Sequence, residues 1–281
     1  MRSTHKVALM MATLLGVIGC NSSTTTAGYT TEPTDLEAVA SFGLISGGAG
    51  MTNTGIQSVV NGDASTTAID NSSVTGFDDT LGDIYTETPA NIAAVNDIIY
   101  TCTNSTAGPT VASPNAASCL IATNALADAR TAYLALTALP TGGNPGTNLA
   151  GITLAPGVYT SPSGSLLIEG GDLTLDAGGD ENAVWVFQMA STLTVGGPGV
   201  AAPQSIILAG GAQAKNIFWQ VGSSAIINAA GGGTMVGTII ASSGIAFSTV
   251  GNTTITTLEG RAVSLDASVT MVDTVINTPM P

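Results

Sequence analysis

The sequence predicts a mainly β protein, a three-sided solenoid of short parallel strands interrupted by a helical insertion. Three observations carry this. The first is composition: 35 glycines, 9% charged residues and 4% aromatics leave small side chains and frequent turns, which suit a narrow core of many short strands, while 44% apolar content is too high for a disordered chain. The second is alternation: from Gly151 onward, apolar residues alternate with small polar ones in short runs bounded by glycine. The third is repetition. The runs sort by similarity into three columns, and the later turns recur at roughly 20 to 24 residues, as stacked coils require. One column holds AVWVFQM, NIFWQVG, VGTIIAS and GRAVSL. A second holds STLTVG, SAIINAAG, GIAFSTVG and ASVTMVD. A third holds DLTLDAG, SIILAGG, GTMVG and TTITTLEG.

The 281 residues fit one large domain or two small ones. Residues 1–20 read as an export signal: the basic MRSTHK, then the apolar VALMMATLLGVIG, too short for a standard membrane span. Their end, VIGC, resembles a bacterial lipobox, which makes Cys20 a lipidation site; plain secretion is the alternative. Localisation follows: exported, as an outer-membrane or cell-surface lipoprotein or else extracellular. Residues 21–34 form a Ser/Thr-rich flexible tether, and 35–281 a single domain. In its early part FGLIS is similar to GTIIAS, GMTNTG to GIAFSTVG, and SVVNGDAS to ITTLEGRAVS, so the solenoid is split. TPANIAAVNDIIY carries a helix start, with Thr88 as cap and Pro89 at the first helical position. SCLIATNALADARTAYLALTALP reads as a long helix ended by Pro140, with Leu126, Tyr133 and Leu136 on one packed face. Cys102 and Cys119 remain once Cys20 is set aside; an oxidising compartment favours a disulfide, with two buried thiols as the alternative.

The net charge of −14 and only five Lys and Arg, two of them in the signal, exclude nucleic acid as a partner. The only histidine, His5, lies in the signal, so the mature chain has no Ser-His-Asp, Cys-His or His-metal system, and no enzyme activity is expected. No cofactor or metal is expected either. Asp176, Asp180 and Glu181 in LDAGGDENA lack a calcium-loop spacing and read as a polar turn. Arg261 and Lys215 are expected to satisfy local carbonyls or acids, and Trp185 and Trp219 to pack against the long helix.

PGVY, NAVWVFQ, NIFWQVGSSA and GRAVSL, in this order, together with MTNTGIQSVVNGDAS, strongly resemble the ice-binding proteins of the DUF3494 type. The resemblance covers nearly the whole chain after the tether. It implies a mainly β fold: a discontinuous three-sided β-solenoid with a long α-helix, here 118–139, packed alongside its axis. It also implies a small helical capping segment, here 77–119, stapled by Cys102–Cys119. The implied partner is an ice crystal surface, met by a monomer.

Ice recognition needs no nucleophile. It needs a rigid, flat face with a regular repeat, and solenoid strands stack about 4.7 Å apart, close to an ice lattice repeat. Threonine suits such a face: the hydroxyl anchors a water, the methyl excludes disordered ones, and β-branching fixes the rotamer. In the second column Leu193 and Val195, Ile245 and Phe247, and Val269 and Met271 point inward. That leaves Thr192 and Thr194, Ala246 and Ser248, and Ser268 and Thr270 outward, without a charge among them. Thr52 and Thr54 join them from GMTNTG, while Ile226 and Asn228 of the SAIINAAG coil interrupt the pattern. The third column is a lesser face through Thr174, Thr254 and Thr256, interrupted by Asp176 and Ile207. The alternative function for such a face is adhesion to a glycan or a partner surface.

Overall fold

The computed structural model describes residues 39–111, 115–197 and 203–279. The signal, Cys20 and the tether lie outside the described residues. The strands form sheets of 13, 7 and 3 strands. Pairing between successive coils is parallel throughout; the antiparallel hairpin Phe77–Asp79/Ile84–Tyr85 belongs to the capping segment. One coil runs through Leu173–Asp176, Trp185–Met189 and Leu193–Val195, and the next repeats it as Ile206–Ala209, Ile217–Val221 and Ala225–Ile227. In the two coils after that, the third and first columns fuse into single bent strands, Thr234–Ala241 and Thr256–Ser264. The bend falls at Gly237 and Gly260: a Cβ on Gly260 would sit 1.9 Å from the Gly237 carbonyl oxygen, so only glycine lets the coils stack there.

The two ends of the chain complete one coil together. The last strand, Thr274–Asn277, pairs with Thr256–Ser264 on one side and with Ser58–Asn61 on the other. The first strand, Phe42–Ser46, pairs with Thr256–Ser264 and Asp63–Thr66. Arg261 clamps both ends, donating to the carbonyls of Ala40 and Pro279 at 2.8 and 2.9 Å, in line with its expected role. Outside the junction a side-chain ladder climbs from Glu259 through Asn277 and Asn61 to Asn96, with bonds of 2.6 to 2.7 Å.

The helix, Ala116–Ala138, returns the chain along the stack. Asn115 caps it, accepting from the backbone N–H groups of Ala117 and Ser118. Its 23 residues span roughly 34 Å at about 1.5 Å each. The stack beneath rises from Thr160 through Gln188, Gln220, Ile240, Val263, Ile45 and Ser65 to Tyr100, seven spacings of about 4.7 Å, roughly 33 Å. The buried seam is mostly alanine: Ala122, Ala125, Ala129 and Ala132, then Leu136. Leu126 and Tyr133 of the expected face are only partly buried. Small residues bring the helix close to Val186, Phe218, Ile240 and Val263. At its end Gln188 Nε2 donates to the carbonyls of Leu136 and Leu139 at 2.9 and 3.1 Å, satisfying groups that the helix leaves open.

Three expectations are corrected. TPANIAAVNDIIY is not helical: it forms the strands Ala93–Val95 and Ile99–Thr101, which stack on the preceding coil. Thr88 instead shares a tight turn with Asn91, donating to its Oδ1 from both backbone and hydroxyl. The capping segment is therefore strands and loops rather than helices. Its disulfide Cys102–Cys119 is present and ties the last coil to the first helical turn. Finally, Trp185 and Trp219 face the solenoid interior and not the helix. Trp219 stacks on Phe187 with centroids 4.0 Å apart, and its indole donates to the Val236 carbonyl at 2.9 Å.

Candidate ice-binding face

The seven-stranded sheet collects the second column. Its order is Leu166–Ile168, Leu193–Val195, Ala225–Ile227, Ile245–Phe247, Val269–Met271, Met51–Asn53 and Val74–Thr75. In the six three-residue strands both end residues are buried, which turns the central residue outward; in Val74–Thr75 the first residue is buried and the second half-buried. The result is one row in register: Leu167, Thr194, Ile226, Ala246, Thr270, Thr52 and Thr75. Beside it lies a second row through Ser165, Thr192, Ser224, Gly244, Ser268 and Gly50, each step joined by a backbone hydrogen bond to the next strand. Thr192 also donates its hydroxyl to Ser165 Oγ at 3.0 Å.

Neither row contains a charged or titratable side chain. The acids that titrate abnormally lie elsewhere. Burial raises Asp63 and Asp79 above the ordinary carboxylate value, and pushes Tyr85 up to about 12. These residues sit in the terminal coils and the capping segment.

The expected face residues separate in the structure. Thr192, Thr194, Ala246, Ser268, Thr270 and Thr52 occupy the two rows, and Thr54 is exposed just beyond its strand. Ser248 does not point out: it is 7% exposed and turns the corner with φ 59°. Asn228 is likewise buried at φ 47°, its amide bonded to both backbone groups of Gln204. These two stack with Gly196 at φ 51°, so alternation ends where the left-handed corner begins. The shared signal was Gly, Asn and Ser at one position of three coils. Ile226 remains on the face as expected. On the third side Thr256 points inward and Thr257 outward, one residue from the expected register. The turn at Asp176 and Asp180 is self-satisfied, each carboxylate accepting a nearby backbone N–H, and no metal-type cluster of acids exists among the described residues.

Comparison with known proteins places this geometry. The ice-binding-like family model matches residues 45–277, and the chain belongs to that family. It is 35% identical over 237 residues to an ice-binding protein of a Nostoc species, covering 84% of this chain and 71% of that one. It is 30% identical over 234 residues to ice-binding protein 1 of Shewanella frigidimarina, covering 78% of this chain and only 24% of that one. Among solved structures, the DUF3494 domain of that Shewanella protein superposes with TM-score 0.68 at 27% identity, covering 86% of this chain and 96% of that one. The ice-binding protein of Antarctomyces psychrotrophicus gives 0.66 at 29%, covering 88% and 99%.

Proposed function

We propose that this protein is an ice-binding, antifreeze protein that adsorbs to ice through the outer face of the seven-stranded sheet. The observation that carries the assignment of the face is the pair of uncharged rows, held in register across that sheet. The contact residues are Thr192, Thr194, Ala246, Ser268, Thr270 and Thr52, extended by Thr75 and Ser224, with Thr54 at the margin. Water held between β-branched side chains at a repeat of about 4.7 Å matches a lattice over many coils at once. Adsorbed molecules pin the growing front, curve it between them and lower the local freezing point. The same pinning slows recrystallisation. No covalent step is involved, and the recognition is spread over many weak contacts.

The N-terminal signal directs the protein out of the cell, with Cys20 as the point of lipid attachment, and the folded unit acts as a monomer. The primary test is thermal hysteresis and ice recrystallisation with the purified protein. Faceted crystals and arrested coarsening are expected; round, freely coarsening crystals from a folded sample refute the function.

A further inference from the structure

Most of the strand pairings in the face join coils that the chain connects directly or nearly so, but the step from Val269–Met271 to Met51–Asn53 joins the two ends of the chain. No covalent connection sets that register, and a one-residue slip would turn Thr52 inward. We propose that Asp273 and Asn53 are positioning residues that lock this step, so that Thr52 and Thr75 continue the row of Thr270. The proposal rests on the ice-binding face described above.

The geometry is specific. Asp273 is 4% exposed, and its Oδ1 accepts the backbone N–H groups of both Ile56 and Gln57 at 3.0 Å, across more than 200 residues of sequence. Gly55 makes room for it: a Cβ there would lie 2.3 Å from both the Oδ1 and the backbone nitrogen of Asp273. Asn53 is fully buried directly behind the face. Its Oδ1 accepts from Gly55 N and Ser58 Oγ at 3.1 and 2.7 Å, and its Nδ2 donates to the carbonyls of Gly55 and Gly76 at 2.7 and 3.3 Å. Ser58 Oγ in turn accepts from Thr274 N at 3.1 Å. One buried network thus spans three coils at the place where the face crosses between chain ends. Asp273 holds two backbone N–H groups from the other end of the chain at once, so truncating its side chain removes both bonds together.

The test compares the parent protein with Asp273→Ala, Asp273→Asn and Leu136→Ala, by thermal hysteresis, melting and amide exchange. In Asp273→Ala, exchange at residues 51–57 is expected to quicken by at least about tenfold, and hysteresis to fall by about half or more. Asp273→Asn restores most of both, because its amide oxygen accepts the same two bonds and asparagine tolerates the positive φ of 42°. Leu136→Ala opens the helix seam far from the face; it lowers the melting temperature and leaves hysteresis near 0 °C unchanged, which separates positioning from general stability. Unchanged exchange at 51–57 in Asp273→Ala, or equal loss of hysteresis in Leu136→Ala, overturns the proposal. A parent protein without hysteresis overturns the ice-binding function instead, and the exchange result then decides the role of Asp273 by itself.

Discussion

Thr270→Tyr is the sharpest perturbation of the face. Thr270 is exposed and stands between Ala246 and Thr52 in the row, with Ser268 beside it in the second row. Its neighbours are about 4.7 Å away on either side, so a phenol ring standing well above the row keeps them all off a flat surface. A gap of only about 0.5 to 1 Å already forfeits a quarter to a half of a dispersion contact, so Ala246, Thr52 and Ser268 lose nearly all of theirs. Those positions form the centre of the face, and hysteresis should drop to about a fifth of the parent value or less. Stability should change by no more than about 0.5 kcal/mol, a melting shift within about 2 °C, because the side chain is exposed. Thr257→Tyr, on the third side, is the matched control and should leave hysteresis intact. A folded Thr270→Tyr protein with parental hysteresis, or an equal loss from Thr257→Tyr, would refute the assignment of the face.

Three further outcomes are expected. Ile226→Thr extends the threonine run from Thr194 toward Ala246 at a stability cost below about 1 kcal/mol, and should raise hysteresis; a fall would mean that the row is not read through hydroxyls. Replacing Cys102 and Cys119 by serine opens a link across 17 residues, costs about 3 kcal/mol and lowers the melting temperature by roughly 6 to 12 °C, while hysteresis near 0 °C persists because the bridge lies at the helix and not the face. Acidification should stabilise the fold: burial raises Asp63, Asp79, Asp78 and Glu87, so between their folded values and the ordinary carboxylate values the native state binds more protons than the unfolded chain. That contribution is lost as pH rises through the folded values; a urea midpoint higher at about pH 4.5 than at pH 7 would bear this out, and hysteresis should stay flat over the same range.

The columns were legible because each coil repeats the same inward residues, and the eye needs only Leu193, Ile245 and Val269 to align the face. The pairing of GMTNTG with the last coils was legible for the same reason. Register failed where the sequence lost contrast. In TTITTLEG four threonines surround Ile255, and only Leu258 fixes which of Thr256 and Thr257 turns inward. Ser248 and Asn228 failed because alternation was carried past the strand into a corner with positive φ. At TPANIAAVNDIIY a capping signature outweighed the period of two that buries Ala93, Val95 and Ile99. The role of Gln188 was hidden altogether: AVWVFQM and NIFWQVG carry a glutamine at the same place, yet only Gln188 meets the end of the helix, while Gln220 donates to the Tyr133 hydroxyl partway along it. The Asp273 network could not be read from sequence, since its partners are the two ends of the chain.

The match between the helix and the stack has a consequence for how such a protein can grow. One coil adds about 4.7 Å of height, which roughly three helical residues span. Three residues also turn a helix by about 300°, leaving the alanine seam about 60° out of line. A coil therefore cannot be inserted alone, nor with three helical residues alone. Lengthening by seven residues keeps the seam facing the sheet to within about 20°, and spans roughly 10.5 Å, close to two coils. The helix acts as a ruler graduated in pairs, and enlarged versions of this face should be built two coils and seven helical residues at a time.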